Sequence, residues 1–341
     1  MLNKIISESN IQKAKKLIDK SDKIIIITHI SPDGDAIGSS LALYHFLLQT
    51  GKSVNVVVPN NFPGFLKWLK GAKDIVVKEW KENLVRELLD AADLIFCLDF
   101  SIPKRIDQLG PMVERSAAPK IMIDHHLHPE HFCDVTISHP EISSTSELIF
   151  RFICRLGMFE HIDKNIAECI YLGMMTDTGA FTYNSNSPYI YYIISELIEK
   201  GIDKDAIYDK VYNAYSESRL RMQGYLLCEK MKLFKEYRAA LIVLSRDEQK
   251  KFQWRKGDTE GVVNIPLSIE NIIFSVFIRE DENMIKISLR SKGTFPANRF
   301  AAEIFNGGGH LNASGGEFFG SLEEAVTLFE EALPKYAEYL S

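Results

Sequence analysis

Histidine and aspartate recur in this sequence where apolar runs stop. "KIIIITHISPDGDAIGS" carries His29, Asp33 and Asp35 off the end of four consecutive isoleucines. "DLIFCLDFS" ends on Asp99, "KIMIDHHLHP" delivers Asp124, His125 and His126, and "IYLGMMTDTGAF" supplies Asp177. Carboxylates and imidazoles in that number are a donor set for two divalent cations. Such a pair, about 3.5–4 Å apart, needs several carboxylates and at least one that bridges. Asp33 and Asp35, with only Gly34 between them, can each face a different ion, and glycine is expected to give that turn its backbone freedom. Mixed imidazole and carboxylate ligands suit Mn²⁺ better than Mg²⁺, and zinc or iron also fit. Each cluster alone has a plain structural alternative, since an Asp-Gly turn after a strand often caps a helix. An EF-hand loop starting at Asp33 fails, because Ile37 and Tyr44 stand where ligands belong. The four clusters together point to one centre.

Delivering them to one place requires a sheet. Up to about residue 140, short β-branched runs ("KIIIITH", "SVNVVVP", "DIVV", "DLIFCLDF", "KIMIDHH") alternate with helical patterns such as "ALYHFLLQTG". Most of these strands are apolar on both faces, which predicts a parallel sheet covered on both sides. In open α/β sheets ligands gather at the carboxyl ends of the strands. From residue 143 to about 231 the pattern is helical, with a Ser-x-x-Glu cap at Ser144 and Glu147 and an incomplete one at Ser216 and Arg219. Beyond it "RAALIVLS", "NIIFSVFIRE" and "MIKISLRSK" read as strands, and "FPANRFAAEIF" and "SLEEAVTLFEEALPKYAEYL" as helices. The expected architecture is α/β. A domain over 1–190 is joined by a helical connection, 191–224, to a smaller α/β domain over 225–341.

At 341 residues the chain is long enough for two cores, and 46% hydrophobic with 25% charged residues is an ordinary soluble balance. A net charge of −6 argues against coating long nucleic acid. The five cysteines form no C-x-x-C pair, so neither a zinc knuckle nor a disulfide framework is expected. The N-terminus reads as an amphipathic helix without a leader's apolar region, and no apolar run reaches the roughly 18 residues a bilayer demands. A cytoplasmic protein with no membrane contact is expected. No G-x-G-x-x-G follows the first strand, which disfavours a dehydrogenase.

"DHH" at 124–126, with "HISPDGDAIGS", "LDFS" and "GMMTDTGAF" in that order, resembles the DHH phosphoesterase superfamily. The resemblance implies that His29 and Asp33 bind one manganese ion and Asp35, His125 and Asp177 the other, with Asp99 bridging. It implies that His126 contacts the scissile phosphate and that Asp124 orients a histidine. "ISLRSKGTFPANRFAAEIFNGGGHLNASGG" is similar to the DHHA1 domain, whose triple-glycine-histidine loop is its signature. There Arg290, Ser291, Gly307, Gly308, Gly309 and His310 are the implied substrate ligands, and glycines let backbone N–H groups approach an anion. In length and motif wording the chain is most similar to bacterial oligoribonucleases that degrade nanoRNA and dephosphorylate 3′-phosphoadenosine 5′-phosphate (pAp). The resemblance implies a catalytic DHH domain and a substrate-binding DHHA1 domain with the active site in the crevice between them. It also implies in-line attack of water on a phosphate ester, with very short single-stranded oligonucleotides or mononucleotide bisphosphates as substrates and with room for a homodimer. Alternatives are a soluble phosphodiesterase of cyclic dinucleotides or pApA, a RecJ-like single-strand exonuclease, and a non-catalytic nucleotide sensor that retains its metals.

Overall fold

The computed structural model of the protein describes residues 5–340. The chain divides into two compact units, one running to Ala214 and one beginning at Tyr215. The start of the expected N-terminal helix, residues 1–4, lies outside the described residues.

The first unit is built on strands β1 (Lys23–Ile27), β2 (Ser53–Val58), β3 (Val76–Val77), β4 (Leu94–Leu98), β5 (Lys120–Asp124) and β6 (Val135–Ser138). All pair in parallel, in the order β3-β2-β1-β4-β5-β6. The helices are α1 (Glu8–Lys20), α2 (Gly34–Gln49), α3 (Glu82–Asp90), α4 (Gly110–Arg115), α5 (Thr145–Arg155), α6 (Lys164–Asp177), α7 (Pro188–Glu199) and α8 (Lys204–Tyr212). The isoleucine run of β1 is explained by its two faces. Ile24 and Ile26 join the core that includes residues of α2, α5 and α6, whereas Ile25 and Ile27 join a second core with Val85 and Leu89 of α3 and Val113 of α4. A strand buried on both sides must be apolar at every position. The strand order reverses between β1 and β4, and at such a switch point the connections diverge and leave a crevice at the carboxyl ends.

Helices α2 and α6 cross closely, and three glycines make the approach possible. A Cβ on Gly38 would lie 2.6 Å from the Cys169 carbonyl oxygen, and one on Gly34 would collide with the Thr176 side chain. Gly34 does not have positive φ, so the reason for glycine beside Asp33 is this helix contact and not freedom in the turn. The third, Gly173, has a different neighbour: a Cβ there would meet Ser146 and lie 2.7 Å from Asp35 Oδ1.

The second unit has a mixed sheet of β7 (Lys232–Phe234), β8 (Ala239–Leu244), β9 (Phe274–Glu280), β10 (Ile285–Ser291), β11 (Gly308–His310) and β12 (Ala313–Phe318), in the order β11-β12-β10-β9-β8-β7. Among the described residues of this unit only β8 and β9 pair in parallel. Its helices are α9 (Glu217–Tyr225), α10 (Arg246–Lys251), α11 (Ala297–Ile304) and α12 (Leu322–Ala332). An aromatic cluster fills its core, with Phe274 centred 4.1 Å from Phe295 and 5.0 Å from Phe300. "NGGGHLNASGG", expected as a glycine-rich loop, is largely the hairpin of β11 and β12, with Gly308 opposite Gly315 and His310 opposite Ala313. Glycine is depleted in strands, so composition conceals the pairing.

Ser144 caps α5 as expected, but Glu147 turns to Ser143 and Arg151 instead of closing the box. Complete capping boxes occur at Ser245 with Glu248 and at Ser321 with Glu324. Glu248 also accepts from Tyr225 Oη and Lys230 Nζ, both at 2.8 Å, and so joins α9 to α10. Burial disfavours its charge, but Lys230, Ser245 and Tyr225 overcome this and hold its carboxyl down to about 2. Glu248→Gln is therefore expected to destabilise the protein by about 1–2 kcal/mol at neutral pH. Because the folded-state pKa is lowered, the carboxylate's contribution is complete above the ordinary glutamate range and lost toward pH 2. Urea unfolding should show the gap between wild type and variant closing as the pH falls through that window.

Candidate metal centre

Four segments meet at the carboxyl ends of β1, β4 and β5. His29 follows β1, Asp99 follows β4, and Asp124 closes β5 with His125 and His126 next in line. Asp33 caps α2, accepting from the N–H groups of Asp35 and Ala36 at 3.1 and 3.0 Å, which leaves Asp35 in the helix's first turn. Asp177 is the last residue of α6. His29, Asp35, Asp99, Asp124 and His125 are buried, while Asp33, His126 and Asp177 are half-buried. Asp99 has a φ of 64°, an unfavourable conformation for a residue with a side chain and one that turns the chain sharply off β4.

The side chains converge. His29 Nε2 lies 3.4 Å from Asp99 Oδ2 and 3.8 Å from Asp33 Oδ2. His125 Nε2 lies 3.4 Å from Asp177 Oδ2, 3.5 Å from Asp99 Oδ1 and 3.9 Å from Asp35 Oδ2. Three triads each offer one donor atom per residue within 4.8 Å of one another: His29, Asp33 and Asp99; Asp35, His125 and Asp177; and Asp99, His125 and His126. Asp99 belongs to two of them.

The surroundings orient these groups. His29 Nδ1 is 2.8 Å from the Ile30 carbonyl oxygen and His125 Nδ1 is 3.2 Å from that of Ile142. A carbonyl only accepts, so each ring carries a proton on Nδ1 and turns Nε2 inward, the atom through which an imidazole ligates once it is free of a proton. The first N–H groups of α5, from Thr145 and Ser146, donate to the two oxygens of Asp35 at 2.6 and 2.8 Å. The Thr145 hydroxyl donates to Asp99 Oδ1 at 2.9 Å. Asp124 receives His126 Nδ1–H at 2.8 Å and the His126 backbone N–H at 3.1 Å.

The electrostatics suit a cation. Burial lifts Asp35 well above the usual carboxylate range, and Asp99 and Asp177 push the same way. Burial likewise raises Asp177, to about 6, against the pull of His125. Asp99 is the exception: burial opposes its charge, but the hydrogen bond from His29 and the nearby imidazoles hold it well below the usual range. His125 would be lowered by burial, yet Asp177, Asp99, Asp35 and Asp124 together raise it to about 9. In the protein alone the acids thus keep a proton on His125. A divalent cation neutralises the same charges by taking the place of that proton on the inward-facing Nε2, and the donor set fits.

Sequence reasoning missed the partners that hold the acids. Thr145 and Ser146 were visible as a hydroxyl run opening a helix, but nothing tied them to Asp35, more than a hundred positions away, or Thr145 to Asp99, 46 away. Arg105, whose Nη2 lies 3.4 Å from His126 Nε2, gave no signal.

In the second unit Arg290 pairs with Ala313, which pairs on its other side with His310. These three residues form one row across the sheet, with Arg290 and His310 about 9–10 Å apart. Ser291 is buried; its hydroxyl donates to the Phe295 carbonyl and accepts from Asn312 Nδ2. Gly307 precedes the hairpin, and Gly308 and Gly309 open it.

An open α/β unit that gathers carboxylates and imidazoles at its switch point defines a class of metal-centred domain. The chain belongs to the DHH family of phosphoesterases: residues 23–174 match the DHH family N-terminal domain and residues 236–336 the DHHA1 domain. A crystal structure of an exopolyphosphatase-related protein from Bacteroides fragilis is 62% identical, with a TM-score of 0.95 and 99% of both chains covered. The bifunctional oligoribonuclease and PAP phosphatase NrnA of Thermus thermophilus is 29% identical, over 91% of this chain and 89% of its own. Its Bacillus subtilis counterpart is 28% identical over 91% and 93%. Among the described residues no helix is long and apolar enough to cross a membrane.

Two outcomes are expected. Thr145→Val, which keeps the backbone donors but removes the hydroxyl on Asp99, should weaken Mn²⁺ binding by about 10–100-fold without unfolding the protein; calorimetry and circular dichroism check this. Binding also requires His125 to give up the proton it holds below about pH 9. Mn²⁺ affinity should therefore rise with pH from 6 to 9, with proton release seen as a buffer-dependent heat.

Proposed function

We propose that this chain hydrolyses phosphate esters of very short RNA oligonucleotides, releasing mononucleotides, and converts pAp to AMP. The observation that carries the reading is the convergence of three His/Asp triads, two of them containing Asp99, in a chain similar over 91% of its length to proteins described as oligoribonuclease and PAP phosphatase. We assign His29, Asp33 and Asp99 to one Mn²⁺, and Asp35, Asp99, His125 and Asp177 to a second. Divalent cations bound there supply Lewis-acid neutralisation of the phosphate and an acidified water.

The chain's own groups set the rest. The carbonyls of Ile30 and Ile142 fix the imidazole tautomers. Thr145 and the α5 N-terminus keep Asp99 and Asp35 oriented. Asp124 fixes His126 beside them, at the edge where a scissile phosphate is proposed to lie. In the second unit we assign Arg290, His310 and the backbone of Gly308 and Gly309 to the substrate's remaining phosphates. Gly307, whose N–H donates to the Ala301 carbonyl, and Ser291, whose hydroxyl donates to the Phe295 carbonyl, shape that edge instead of donating to the anion. A guanidinium and exposed N–H groups suit that work.

A Mn²⁺-dependent panel tests the proposal, with an RNA dinucleotide, an RNA 5-mer, a 24-mer of single-stranded DNA, pAp, a cyclic dinucleotide and a short inorganic polyphosphate. Fast cleavage of the dinucleotide and release of phosphate from pAp are expected, both abolished in Asp99→Ala. Preference for the DNA 24-mer or the cyclic compound overturns the substrate assignment. Preference for polyphosphate does the same and favours the chemistry that the description of the B. fragilis relative suggests. Silence on all six with Mn²⁺ bound leaves a sensor.

A further inference from the structure

Arg105 sits in the 3₁₀ segment Pro103–Leu109, a few residues beyond Asp99. Its position is fixed from two sides. Its carbonyl accepts from Ile30 N at 2.8 Å, next to His29, and its own N–H donates to the Ile102 carbonyl at 3.1 Å. Both flanks of the switch point therefore hold the residue.

The guanidinium Nη2 lies 3.4 Å from His126 Nε2. Arginine has donors only, so Nε2 is the acceptor in this contact. The ring proton then resides on Nδ1, 2.8 Å from Asp124 Oδ1. With Nε2 accepting from Arg105 and the Nδ1 proton given to Asp124, His126 offers an anion no N–H from Nε2. Stabilising charge on a phosphate, the role implied for His126 by the family resemblance, requires another donor at this edge of the centre. Arg105 supplies one in its guanidinium, a planar fork of N–H donors, and among the described residues that group is engaged in no ion pair.

We infer that Arg105 is a substrate-binding residue that donates to an oxygen of the scissile phosphate, with His126 held by Asp124 as its positioning partner. The inference rests on the phosphoesterase reading above. It differs from the metal ligands in kind: they are acceptors that bind cations, whereas Arg105 binds the anion directly. Lysine is a point donor on a differently shaped stem and replaces this function only in part.

The test uses the full chain as wild type, Arg105→Ala and Arg105→Lys. It measures Mn²⁺ binding by electron paramagnetic resonance and inorganic phosphate binding to the Mn²⁺-loaded protein by calorimetry. It also reads the ¹⁵N ring shifts of His126 in metal-free protein and kcat/KM on pAp. In Arg105→Ala, phosphate affinity should fall about tenfold or more and kcat/KM about 10²–10³-fold, with Mn²⁺ binding unchanged. Arg105→Lys should lie between, and wild-type His126 should carry its proton on Nδ1. Undiminished phosphate binding in Arg105→Ala overturns the inference, as does a wild type that binds no phosphate. Loss of Mn²⁺ from the variant, or a proton found on Nε2, overturns it equally. If phosphate binding depends on Arg105 but no phosphate ester is cleaved, the function proposed above fails and the anion contact stands.

Discussion

Two aspartates, Asp35 and Asp99, are buried side by side, and the first unit is organised around making that possible. A carboxylate removed from water costs several kcal/mol unless donors replace the solvent. Asp35 meets its cost with the first N–H groups of α5, which have no partner within their own helix and carry the positive end of its dipole. Asp99 relies on Thr145 and on imidazoles. The same α5 terminus therefore supports both acids. The close approach of α6 to α2 is a geometric condition of the arrangement, because Gly173 leaves the room that Asp35 and Ser146 occupy. Fold and site are here one constraint: helices that pack more loosely would leave the carboxylates either wet or unpartnered.

That constraint explains why the donors come from loops and helix ends while their supports come from the interior. The strands contribute position more than ligands, since only Asp124 lies within a strand, and it holds His126 instead of facing the centre. The arrangement is compatible with a rigid parallel sheet whose reversal of order opens a crevice without any strand being bent.

Much of this was legible in the sequence. The strand ends, the parallel sheet and the clustering of His29, Asp33, Asp35, Asp99, His125 and Asp177 follow from residue type and from apolar runs interrupted at regular places. What was not legible has a common cause, which is dependence on contacts distant along the chain. Gly34 looked like a turn residue because sequence reports its neighbour Asp33 and not its neighbour Thr176. Thr145 looked like part of a helix start because its partner Asp99 lies 46 residues away. Strand β6 was missed because "VTIS" is short and only half apolar, and it is specified by pairing to β5 more than by its own pattern.

The glycines of the second unit separate structural need from something else. Gly307, Gly309 and Gly316 are required by the fold. A Cβ on Gly307 would lie 2.6 Å from Gly316 Cα, Gly309 has a φ of 139°, and a Cβ on Gly316 would lie 2.7 Å from Phe305 O. Gly308 is different: its φ is not positive and a Cβ there would meet nothing within 4 Å. Glycine within a strand costs about 0.5–1 kcal/mol relative to alanine, and no contact inside the unit compensates. It lies on the sheet's edge strand, where backbone groups not used in pairing with β12 face outward. Such outward backbone groups are ones an anion can reach, which agrees with the proposed assignment of this edge to substrate phosphate.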